Sequence, residues 1–188
     1  KPITAVAAMI LVERGQMDLL DPVEKFLPGF KNQTYITKAG LQRVQEPMVI
    51  KDLLGMTSGL VYGGENGYAE RRMQALWDEV QRDQAKGKEL GTVDFANRMG
   101  QMPLAFAPGS RWQYGTSADV MGAVIEVISG MHFGEFLKKE IFDPLGMEDT
   151  GFWIPEEKRG RFAQVYRPTE DGLAPYTDAH LCILPTYP

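Results

Sequence analysis

Lys1 stands directly against an apolar run, residues 3–12, that only Thr4 interrupts. A cation at the mouth of a buried helix is costly unless it has a task, and a task open to an amine there is taking a proton from a neighbouring hydroxyl. Gly55-Met56-Thr57-Ser58-Gly59 has the outline of the Gly-x-Ser-x-Gly nucleophile elbow, but threonine holds its centre. The elbow also needs a preceding strand, whereas residues 50–54 follow a helical pattern. Thr57 and Ser58 are therefore expected to tie down a turn and not to attack a substrate. His180 and Cys182 have no partner at a useful spacing and are expected to be structural. With His132 they form no zinc-ligand pattern, and proton transfer between an amine and a hydroxyl calls for neither a metal nor an organic cofactor.

These residues need elements to hold them. Residues 3–14 are apolar on every face, which predicts a helix buried all round and stopped at Gly15. Turn-formers break residues 19–29 into short pieces. A short helix is predicted over 49–54, and amphipathic helices over 68–84 and 92–102, with the charged residues 82–89 as a solvated link. Residues 106–112 read as a turn. Val120, Met121, Val124, Ile125 and Ile128 then recur at helical spacing up to Gly130, and another helix is expected over about 133–142. Short strand-like pieces are expected at 151–154 and 162–166. Mostly helical, with no internal repeat or hinge, the chain is expected to be one domain over 1–188, in the α+β class.

Composition narrows the partners. With a net charge of -5 and charges of both signs mixed along the chain, there is no basic stripe for nucleic acid and no polybasic membrane patch. The apolar run is about half the ~20 residues that a membrane span requires, so no span is expected. It is followed by Glu13-Arg14-Gly15 and not by small residues, which speaks against a signal peptide. A single cysteine leaves the compartment open, cytoplasmic or secreted.

Three strings, in order, resemble the serine β-lactamase and penicillin-binding-protein superfamily, especially its class C-like and family VIII esterase branches. They are Lys1-Pro2-Ile3-Thr4-Ala5-Val6-Ala7-Ala8, Asp52-Leu53-Leu54-Gly55-Met56-Thr57-Ser58-Gly59-Leu60 and Pro108-Gly109-Ser110-Arg111-Trp112-Gln113-Tyr114-Gly115-Thr116. Ile141-Phe142-Asp143-Pro144-Leu145-Gly146-Met147 adds to the match. The resemblance implies that Lys1 is the lysine of Ser-x-x-Lys, its serine three positions earlier, and that desolvation on the helix eases deprotonation of the amine. A plain first-turn lysine is the alternative. Tyr114 matches the tyrosine of Tyr-x-Asn, implying a proton relay assisted by Lys1. Thr116 replaces the asparagine and lacks the amide donor that would hold a substrate carbonyl, which favours esterase over β-lactamase or D,D-peptidase chemistry. Trp112 and Thr116 are the substrate-side candidates, although an aromatic such as Trp112 or Trp153 is more often core.

The family's third motif lies on a late strand. His132-Phe133-Gly134 fits its text, but it opens a helix too soon after Tyr114, so His132 is expected to face solvent. Met56 stands where the family's structural turn has histidine. The resemblance implies a β-lactamase/transpeptidase-like fold of which this chain covers mostly the helical subdomain, with an incomplete sheet. A partial chain is therefore expected, covered by the rest of the fold or by a second copy. The expected activity is hydrolysis of small-molecule carboxylic esters or small amides through an acyl-enzyme, an acyltransferase differing only in the acceptor. The rival is a non-catalytic binding or scaffold module, or an inactive fragment.

Overall fold

The structure, a computed structural model, describes residues 1–176; His180 and Cys182 lie outside them. It falls into two compact units, the first Lys1–Leu137 and the second beginning at Lys138.

The first unit is built around one helix. α5 (Ser117–Ser129) buries Val120, Met121, Ala123, Val124 and Ile125 on nearly its whole circumference. Around it pack α1 (Pro2–Glu13), α2 (Ile50–Leu54), α4 (Thr92–Gly100) and α6 (Phe133–Leu137). α3 (Tyr68–Gln84) buries Ala69, Met73, Leu76 and Val80, the stripe that a spacing of three and four residues predicts. α1 stops where Gly15 enters the left-handed region at φ +68° and its N–H donates to the Val12 carbonyl. The helix is not buried all round, however. It sends Ala7, Ala8 and Leu11 inward, while Val6 and Met9 stay 52% and 45% exposed. The described residues supply a neighbour on the α5 side and leave that stripe bare.

A hairpin that the sequence did not announce joins this unit: β1 (Thr34–Thr37) pairs antiparallel with β2 (Gly40–Arg43). Two bonds sew β1 to the chain just before the turn at 106–112, the Ile36 N–H to the Leu104 carbonyl at 2.9 Å and the Leu104 N–H to the Thr34 carbonyl at 2.8 Å. Strands of four residues, half of them polar, are too short to build a period-two signal.

In the second unit, Lys138–Phe142 form a π-helical turn that buries Ile141 and Phe142. The strands expected at 151–154 and 162–166 are corrected. Residues 151–154 form bends, with the Thr150 N–H closing back on the Met147 carbonyl. Pairing begins only at β3 (Tyr166–Thr169), because its partner β4 (Gly172–Pro175) returns through the turn at Glu170-Asp171. Asp149 clamps this unit by accepting two guanidinium bonds from Arg161, at 2.8 and 3.0 Å, and one from the Lys158 ammonium at 2.8 Å. The Arg161 bonds first, then the Lys158 bond, hold its carboxyl well below the usual carboxylate range. A depressed folded value means that the clamp is complete above the unfolded carboxylate value of about 3.9 and fades as pH falls below it. A carbon-detected titration of the Asp149 carboxyl is expected to have its midpoint below that value and to move upward in molar salt, since the pair is exposed and screened. A midpoint at or above the unperturbed value would refute the clamp.

Candidate active site

The turn after α2 decides what meets what. Asp52, buried at 5% exposure, accepts the Val49 N–H at 3.1 Å and the Thr57 hydroxyl at 3.0 Å. Ser58, 1% exposed, shares a 2.8 Å hydrogen bond with the buried Ser117 hydroxyl and accepts the Leu60 N–H at 3.1 Å. Both hydroxyls are thus spent on backbone and helix, as the sequence predicts, and Ser58 is closed to substrate. The chain from Met56 onward is zipped against the later turn. The Gln113 N–H donates to the Met56 carbonyl at 3.0 Å, Gly109 N–H to the Thr57 carbonyl at 2.8 Å and Ala105 N–H to the Gly59 carbonyl at 2.9 Å. Gly115 completes the seam by touching Leu60 so closely that a Cβ there would lie 2.1 Å from the Leu60 carbonyl oxygen.

This seam sets Tyr62 beside Tyr114, with ring centroids 5.9 Å apart and planes tilted by 45°. Lys1, at the head of α1, joins them. Its Nζ donates to the Tyr62 hydroxyl at 3.4 Å and to the Gly115 carbonyl at 3.5 Å, and lies 4.7 Å from the centre of the Tyr114 ring. A cation over two electron-rich faces is attracted to both, by about 0.5–1 kcal/mol at an exposed site. Lys1 and Tyr114, which the sequence linked only through a motif, therefore meet in space across 113 residues, counted as 114 minus 1. Among the described residues Lys1 is exposed, so the desolvation that the resemblance implied is not supplied by them.

The substrate-side candidates part company. Trp112 is 64% exposed beside the 54% exposed Tyr114. Thr116 is fully enclosed, and its Oγ1 has no hydrogen-bond partner among the described residues. His132 sits at the head of α6 with its side chain 75% exposed and Nδ1 3.8 Å from the Glu126 carboxylate, facing solvent as expected.

Two residues near the amine escaped the sequence. Tyr62 is one, and its only signal is an aromatic followed by Gly63-Gly64 just past the Thr-Ser-Gly turn. The other is Asp119, in the first turn of α5. Burial of its carboxyl against the surrounding protein pushes it above the usual carboxylate range, while the charge of Lys1 pulls the other way. Among the described residues, no group of three or more His, Cys, Asp and Glu could hold a metal ion, and no single helix is long and apolar enough to cross a membrane.

The sequence model of the family described as Beta-lactamase matches residues 1–180. The chain belongs to the beta-lactamase family. Within that family it is 36% identical over 163 residues to Esterase EstB of Burkholderia gladioli, an alignment covering 85% of this chain and 38% of EstB. Among solved structures it is similar to EstCE1, a hydrolase with promiscuous acyltransferase activity, with a TM-score of 0.74 and 28% identity, over 98% of this chain and 45% of that one. It is also similar to the octameric penicillin-binding protein homologue from Pyrococcus abyssi, with a TM-score of 0.59 and 30% identity, over 93% of this chain and 36% of that one. The chain thus spans less than half the length of these beta-lactamase-family relatives. The fold is β-lactamase/transpeptidase-like, with the helices around α5 present and only short antiparallel strands among the described residues.

Proposed function

We propose that this chain is part of a serine hydrolase that acts on carboxylic esters or small amides through an acyl-enzyme, with esters favoured. The observation that carries this reading is the meeting of the Lys1 ammonium with the two phenols, Tyr62 and Tyr114, in one solvent-reachable cluster. The nucleophile in this reading is the serine of Ser-x-x-Lys, three positions before Lys1, one helical turn away on the same face.

Its oxygen bonds to the substrate carbonyl carbon while its proton passes to the Lys1–Tyr114 pair, and the same proton leaves with the departing alcohol. Water then adds to the acyl-enzyme, releases the acid and restores the serine hydroxyl. A second alcohol or amine in place of water makes the reaction an acyl transfer, which the promiscuous acyltransferase activity of EstCE1 supports by analogy. Trp112 is proposed to line the substrate's path, and Thr116 to shape the wall behind Tyr114. An assembly of copies is proposed on the octameric relative alone.

A fluorophosphonate probe tests the reading, because only an activated serine takes it. After labelling of the full-length protein and peptide mapping, the label is expected on a serine three residues ahead of Lys1, in a chain whose intact mass includes that residue. Absence of label, or a sequenced amino terminus at Lys1, would hand the protein to the rival reading of a binding or scaffold module. Label on Ser58 would overturn the assignment of the turn.

A further inference from the structure

A groove separate from the lysine–tyrosine cluster opens between β1 and the turn before Tyr114. It is a shallow, solvent-open groove of about 700 Å³, so a ligand there would lie along it with one face in water. Its two walls are fixed to each other by the paired bonds between Thr34, Ile36 and Leu104, so the shape exists before any ligand arrives.

The polar lining is lopsided. Among the described residues, Arg111 and Lys38 are the charged residues that line the groove, and no carboxylate does. The Arg111 guanidinium lies 4.5 Å from the centre of the Phe106 ring and donates one long bond of 3.5 Å to the Ala105 carbonyl. That leaves most of its donor fork unused. Lys38 has no ion pair or hydrogen bond among the described residues. The groove's small hydroxyls are already committed, Thr37 donating to the Gly40 carbonyl at 2.8 Å and Ser110 to the Ala107 carbonyl at 2.6 Å. Spare capacity is therefore on the donor side, in two cations of a lining that also includes the apolar Ile36 and Phe106. On a chain whose net charge is -5, two cations that no described carboxylate pairs and that line one groove are a local reversal of sign.

We infer that this groove binds a small organic anion with a flat apolar body, its carboxylate or phosphate held by Arg111 and Lys38 and its body laid against Ile36 and Phe106. A guanidinium fork matches either anion in two-point geometry, and its stacking on Phe106 holds it in position beforehand. The inference stands on the groove alone and does not depend on the hydrolase reading.

The test is equilibrium binding to the full-length protein, by calorimetry, of naphthalene-2-carboxylate, 2-naphthyl phosphate and the neutral 2-naphthalenemethanol. One or both anions are expected to bind at least about tenfold more tightly than the alcohol, as loss of a charge-assisted hydrogen bond implies, with affinity falling as salt rises. The better anion identifies the headgroup. Arg111→Gln is expected to lower anion affinity at least about tenfold while leaving the alcohol unchanged. Lys38→Gln, on the exposed hairpin, is expected to lower it less and serves if Arg111→Gln disturbs the fold. Equal binding of alcohol and anions, no binding of any, or anion affinity unaltered in both variants would overturn the inference. Labelling by a fluorophosphonate is expected to be the same with and without the anion if its ligand stays in the groove; competition would assign the anion to the lysine–tyrosine cluster and overturn a separate site.

Discussion

Replacing Tyr114 by phenylalanine in the full-length protein is expected to lower ester turnover by about 10²–10⁴-fold, the range of a positioned acid–base group, with little change in thermal stability. The structural reason is the economy of the change. Phenylalanine keeps the ring over which Lys1 lies at 4.7 Å and removes only a hydroxyl that no described residue engages, on a side chain 54% exposed. Tyr62→Phe is the paired control. It deletes the phenol that accepts the Lys1 N–H at 3.4 Å, a long bond at an exposed position, so a loss of about tenfold or less is expected. Steady-state kinetics on one ester, with thermal melts of both variants, decide the matter. Near-normal turnover in Tyr114→Phe removes it from the chemistry, and a larger loss in Tyr62→Phe transfers the role to Tyr62.

Gly115→Ala is expected to damage both folding and activity. The added methyl would lie 2.1 Å from the Leu60 carbonyl oxygen and 3.2 Å from the Val61 Cα, all backbone, so the seam has to open. Overpacking of this kind costs about 1–3 kcal/mol. The strand of chain that moves carries Tyr62, and the Gly115 carbonyl itself receives Lys1. A shift of about 1 Å in such a constellation costs about 100-fold in rate. Gly160→Ala, at a position without a positive φ and with open space around an added Cβ, is expected to leave both properties unchanged. A Gly115→Ala protein with native melting and native turnover would show that the seam does not set the site.

The sequence made the scaffold readable where one physical signal dominates. α3 and α5 announce themselves because burial repeats every three or four residues, and α1 because a glycine closes an apolar run. The hairpin at Thr34–Arg43 was illegible because its stability comes from bonds to Leu104, a partner seventy residues away that no local pattern encodes. The same limit applies to the site. Lys1 and Tyr114 were found through motifs, but Tyr62 and Asp119 carry none and become visible only when the turn at 56–62 lies against 105–115. Thr116 was read as facing substrate because of its place in a motif, whereas its burial depends on how tightly α5 is enclosed.

The seam between 56–62 and 105–115 also sets an order of events. Each helix of the first unit closes on contacts a few residues apart, whereas every seam bond joins positions about fifty residues distant. Closing so long a loop costs entropy before any of those bonds is made. The lysine–tyrosine cluster is therefore expected to be among the first parts of the unit to come apart. In hydrogen exchange, the amides of Gly109 and Gln113, which close the seam, would open to solvent ahead of those in the middle of α5, so activity would be lost on heating before the helices melt.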